Sequence, residues 1–151
     1  MHFDYERAAE AVWVKIMTRR QAREELINLL FETEFRNDEC AEAIFATSSE
    51  NREIGEDEYL RRAYFAITEN LEKIDETIGT HTHGWKTSRL GRVSRAVLRM
   101  AVYELLFEAD IPSTVTINEA VELIKAYDDE KARPFVNGVL NSVKDSLDSK
   151  K

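Results

Sequence analysis

LRRAYFAITENLEKIDETI, residues 60–78, decides the fold class. Leu60, Ala63, Ile67, Leu71, Ile74 and Ile78 recur at steps of three and four. That spacing gathers one apolar stripe along a helix of 3.6 residues per turn, whereas a strand needs alternation by two. The pattern continues outward in both directions. Upstream, Ala22, Leu26, Leu29 and Leu30 follow Thr18-Arg19-Arg20-Gln21, a capping-box sequence that predicts a helix over 19–35. A shorter helix carrying Ala41, Ile44 and Phe45 comes next, with Asp38 as its cap, and the polar stretch 47–57 with Gly55 reads as a loop. Downstream, Gly79 and Gly84 bracket a turn, and helices are predicted over 93–107, 117–127 and 134–147. Ile111-Pro112 breaks the chain between the first two, and Pro134 suits a first helical turn. Six helices joined by short loops predict a compact all-α domain.

Composition supports this reading. The chain has 151 residues, with 5 Gly and 2 Pro, none of them before Gly55. A sandwich or barrel needs turn residues more often than that. No stretch approaches the apolar length of a spanning helix. The single cysteine, Cys40, excludes an internal disulfide and any multi-cysteine metal site. Residues 1–16 form an N-terminal extension in which Tyr5, Ala8, Ala9, Val12 and Ile16 would line one face of an added helix. Their acidic start and lack of a long apolar core exclude a secretory signal.

Catalysis finds no positive support in the sequence. No phosphate-binding glycine loop and no Glu-x-x-His pair is present. His81 and His83 lack a convincing third ligand, so a solvated turn is the better reading than a metal site. Cys40 lies among Asp38, Glu39 and Glu42, an acidic setting that works against a thiolate nucleophile. The expectation is a protein that is not an enzyme and carries no cofactor or metal.

Net charge is −8, which at face value argues against nucleic acid, but the total conceals its distribution. Residues 24–58 alone carry a net −10, residues 1–23 carry +2, and residues 84–103 carry +5. A phosphate feels the local field, screened over about 10 Å, rather than the sum. Arg19, Arg20 and Arg23 sit at a predicted helix start, where cations oppose the helix dipole. They have no structural motive there, whereas arginine forks and helix N–H groups together suit phosphates. Solubility, or pairing with Glu24 and Glu25, is an equally good reading. Lys86, Arg89, Arg92, Arg95 and Arg99 form a second cluster, whose last four members fall on one helical sector. For most of that stripe an intramolecular acidic partner, the 24–58 segment, is the favoured reading. Phe31 and Phe135, near basic positions, are read first as core, though such rings also stack on unpaired bases.

Thr18-Arg19-Arg20-Gln21-Ala22-Arg23-Glu24 and the run Ser94 to Leu105, SRAVLRMAVYEL, resemble the bacterial transcription antitermination factors of the NusB family. Asp110-Ile111-Pro112, the run Val115 to Leu123 (VTINEAVEL) and Phe135-Val136-Asn137-Gly138-Val139-Leu140 continue the resemblance in order and spacing. It covers residues 18–143 and rests mainly on the combination of INEAVEL with FVNGVL. The resemblance implies two packed three-helix bundles over residues 17–147, followed by a polar tail at 148–151, in a cytoplasmic protein. It implies binding of boxA RNA in nascent ribosomal RNA transcripts together with NusE, a small-subunit ribosomal protein, within an RNA polymerase antitermination complex. By matching position it assigns RNA contact to Arg19, Arg20, Arg23, Phe31, Arg133 and Phe135, and a NusE-facing surface to Ser94, Arg95 and Glu104. Two departures stand out. Ala132-Arg133-Pro134 replaces the family's usual Ser-x-Lys, with Arg133 restoring the charge one position away. Ser94 replaces a commonly acidic residue. Two other readings also fit: a NusB-like module of a ribosomal RNA methyltransferase, which would need a further cofactor-binding domain, and a helical bundle that simply forms homodimers.

Overall fold

The computed structural model describes residues 17–51, 57–82, 90–127 and 130–150. Among them are seven α-helices and no strand: α1 (Arg19–Phe35), α2 (Ala41–Asn51), α3 (Glu58–Glu69), α4 (Leu71–Thr80), α5 (Arg92–Phe107), α6 (Ser113–Ala126) and α7 (Ala132–Asp148). The chain divides into two compact units at Tyr64 and Phe65, a boundary inside α3. The helix expected within 1–16 lies outside the described residues, as do Gly55, His83, Gly84, Lys86 and Arg89.

In the first unit α1 begins as its sequence predicts. Gln21 N donates to Thr18 Oγ1 at 3.1 Å and Thr18 N donates to Gln21 Oε1 at 2.9 Å, so both halves of the capping box form. Thr18→Ala removes the hydroxyl acceptor, and denaturant unfolding should show a loss of about 1 kcal/mol. Ala22, Leu26, Ile27, Leu29 and Leu30 of α1 are buried, with Ile44 of α2 and Tyr59, Leu60, Ala63 and Tyr64 of α3. The Thr33 hydroxyl meets the Tyr64 phenol at 2.7 Å, tying α1 to α3. Burial pushes the Tyr64 phenol above its ordinary pKa, so it stays protonated and able to share that bond.

The second helix departs from expectation at both ends. It starts at Ala41, so Asp38 does not cap it; instead residues 36–39 form a turn closed by Glu39 N donating to Arg36 O. Arg36 also donates Nη2 to Glu39 Oε1 at 2.8 Å across that turn. At the other end, helix replaces the expected loop as far as Asn51. Hydroxyls explain this: Thr47 Oγ1 donates to Ala43 O at 2.8 Å, and the buried Ser48 Oγ donates to a Glu32 carboxylate oxygen on α1.

In the second unit α5 is the central element. It touches α4, α6 and α7, while α6 and α7 also pack together. Ala96, Val97, Leu98 and Met100 through Glu104 are all buried, the pattern of a helix covered nearly all round. The stripe that first indicated helix is interrupted once, at Asn70. Its side chain donates Nδ2 to Ala66 O at 2.7 Å, a local bond that competes with regular helix, and α4 resumes at Leu71. Ile67, Ile74 and Ile78 are nonetheless all buried. The sixth helix begins at Ser113, directly after Pro112, four residues before the expected start, and α7 begins at Ala132, placing Pro134 third in its first turn.

Candidate nucleic-acid interface

The capping box fixes the register of the basic residues of α1. With Thr18 as cap, Arg19 and Arg20 open the helix and Arg23 lies one turn further on. Arg19 and Arg23 are four apart, hence on one face, and both reach the same ring at the start of α3. The Arg19 guanidinium carbon lies 4.3 Å from the Tyr59 ring centroid and that of Arg23 lies 5.9 Å away. Their exposures differ sharply. Arg19 and Arg20 are exposed, whereas Arg23 is 3% exposed, its side chain packed within the structure. Among the described residues no carboxylate lies at ion-pair distance from Arg19, and the first turn of α1 contains no acid. Two turns past Arg23, Phe31 is half-buried.

The other candidate residues belong to the second unit. Arg133 and Phe135 fall in the first turn of α7, which also lacks an acid. Both are half-buried, and Arg133 Nη2 lies 3.7 Å from the exposed carboxylate of Glu130. A long, solvated pair of that kind contributes little and gives way readily to a phosphate.

The residues expected to face a protein partner are distributed differently from expectation. Glu104 is 1% exposed and accepts a 2.8 Å bond from the Thr116 hydroxyl of α6, and Ser94 is also buried. Neither offers surface as placed, because α5 is enclosed where they lie. Arg95 remains half-buried and donates Nη1 to Leu90 O at 3.1 Å.

Within the second basic cluster, Arg99 finds an acidic partner in its own unit. Arg99 makes a two-pronged pair with Asp75 of α4, Nε to Oδ1 at 2.9 Å and Nη2 to Oδ2 at 2.8 Å. His81 is likewise engaged, its Nδ1 lying 2.7 Å from Ser142 Oγ of α7. Among the described residues no group of three or more His, Cys, Asp or Glu is placed to hold a metal ion, and no helix is long and apolar enough to cross a membrane. Tyr59 is the residue that sequence reading missed. It stands beside Leu60 in an apolar stripe, and nothing in the pattern signals its contact with arginines some forty residues earlier.

Comparison with known proteins gives a consistent result. The NusB family model matches residues 20–145. The chain is 40% identical over 131 residues to the transcription antitermination protein NusB of Bacillus pumilus, covering 87% of this chain and 98% of that one. A crystal form of T. maritima NusB superposes with a TM-score of 0.77 at 41% identity, covering 85% of this chain and 92% of that chain. A crystal structure of the antitermination factors NusB and NusE in complex with dsRNA gives a TM-score of 0.74 at 31% identity, covering 86% of this chain and 99% of that chain.

Proposed function

Since this chain belongs to the NusB family, we propose that it acts as a transcription antitermination factor, binding boxA RNA of nascent ribosomal transcripts jointly with NusE. The observation that carries the RNA contact is the start of α1, where Arg19 and Arg20 are exposed beside a helix N-terminus without acids. Helix N–H groups and guanidinium forks there serve the same phosphates. Arg23, being buried, acts from beneath, its guanidinium near the same Tyr59 ring that Arg19 reaches. Half-buried Phe31 and Phe135 supply ring faces on which unpaired bases stack, and Arg133 exchanges Glu130 for a phosphate.

The mechanism is one of linked binding, with no bond made or broken. NusE covers part of the helical surface, with Arg95 the expected contact on α5, and adds basic charge to a protein of net −8. The pair then holds single-stranded boxA and tethers it to elongating RNA polymerase, opposing termination. Titration of labelled boxA RNA across a salt series tests this. Affinity should be markedly higher with NusE present, and each phosphate contact should contribute about 0.7 to the salt slope. Equal affinity with and without NusE would overturn the mechanism.

A further inference from the structure

We infer that Tyr59 is a positioning residue for RNA binding, an aromatic platform that presents the Arg19 guanidinium to phosphate. The inference rests on the proposed RNA contact at the start of α1 and adds to it the residue that makes that contact geometrically defined. Arg19 is the first residue of its helix, a place where a long, exposed side chain ordinarily samples many rotamers. Here its guanidinium lies 4.3 Å from the centroid of a ring that is itself only 2% exposed. A guanidinium held against an aromatic face leaves its N–H edges directed outward, the edges that bind phosphate in a fork. The ring's own place is fixed: Tyr59 lies in the first turn of α3, whose entry is capped by Asp57 Oδ1 accepting from Leu60 N at 2.8 Å. Arg23, 5.9 Å from the same centroid, completes the support. Holding Arg19 in advance lowers the ordering entropy that RNA binding would otherwise demand.

The test is boxA titration in the presence of NusE, comparing wild type with Tyr59→Phe, Tyr59→Leu, Arg19→Ala and the double variant Arg19→Ala with Tyr59→Leu. Tyr59→Phe keeps the ring and should bind within about twofold of wild type, while Tyr59→Leu should bind about fivefold more weakly. In the Arg19→Ala background Tyr59→Leu should add nothing, because the platform then has no Arg19 to hold. Tyr59 is buried, so a second pair guards against misfolding: Tyr59→Phe against Tyr59→pentafluorophenylalanine, which keeps the ring's outline but removes its negative face. The fluorinated ring should weaken binding about threefold with Arg19 present and leave it unchanged with Arg19→Ala. Loss of affinity in Arg19→Ala with none on fluorination overturns the platform role and leaves the RNA contact standing. No loss in Arg19→Ala overturns the RNA contact itself.

Discussion

Replacing both exposed arginines, Arg19→Ala with Arg20→Ala, is expected to weaken boxA binding by the NusE-bound chain about 100-fold near 0.1 M salt. Charge-assisted hydrogen bonds contribute about 1.5 kcal/mol each at the lower end of their range, or roughly tenfold per residue. The salt slope should flatten by about 1.4 for two phosphate contacts on single-stranded RNA. Stability should respond far less. Cations at a helix start oppose the dipole by a few tenths of a kcal/mol each, and relief of that opposition offsets the lost contact of Arg19 with the Tyr59 ring, about 0.5–1 kcal/mol. The thermal midpoint should therefore move little while affinity falls. Arg23→Ala separates the two effects from the other side, since a 3% exposed side chain contributes packing that its removal forfeits. Anisotropy titrations at several salt concentrations, beside thermal melts, measure both quantities. An unchanged affinity in the double variant would remove the start of α1 from the RNA surface.

The largest expected loss of stability lies in α5. Leu98 is fully buried on the helix that touches α4, α6 and α7. Leu98→Ala removes its transfer energy and leaves a cavity, together about 3 kcal/mol. For a chain of this length that lowers the midpoint by roughly 6–12 °C. Conservative Leu98→Met, similar in volume, should cost under about 1.5 kcal/mol. A loss as small for alanine as for methionine would mean that the helix is less enclosed than its burial pattern shows.

What the sequence reveals and what it hides follow a physical line. Periodicity identifies α1 to its ends, because Thr18 and Gln21 encode the cap locally and the apolar residues fall on one face. It fails where polar side chains find partners distant in sequence. The hydroxyls of Thr47 and Ser48 look like loop chemistry, yet one bonds back along its own helix and the other reaches Glu32 on α1. Glu104 and Ser94 look like surface, yet a helix enclosed on most sides buries them, and Thr116 satisfies Glu104 from another helix. Asn70 interrupts a stripe whose hydrophobic rhythm continues unchanged across it. The basic cluster of α1 is visible as charge, but its division into two exposed arginines and one buried is not. Nor does any periodicity signal that Arg19 and Arg23 both reach the ring of Tyr59.

The capping box of α1 has a consequence for how the chain can be altered. Both of its hydrogen bonds are made within Thr18 to Gln21, so four consecutive residues set the phase at which Arg19, Arg20 and Arg23 leave the helix axis. A substitution at Thr18 or Gln21 that loses either bond loosens that phase, and with it the angular placement of the three arginines.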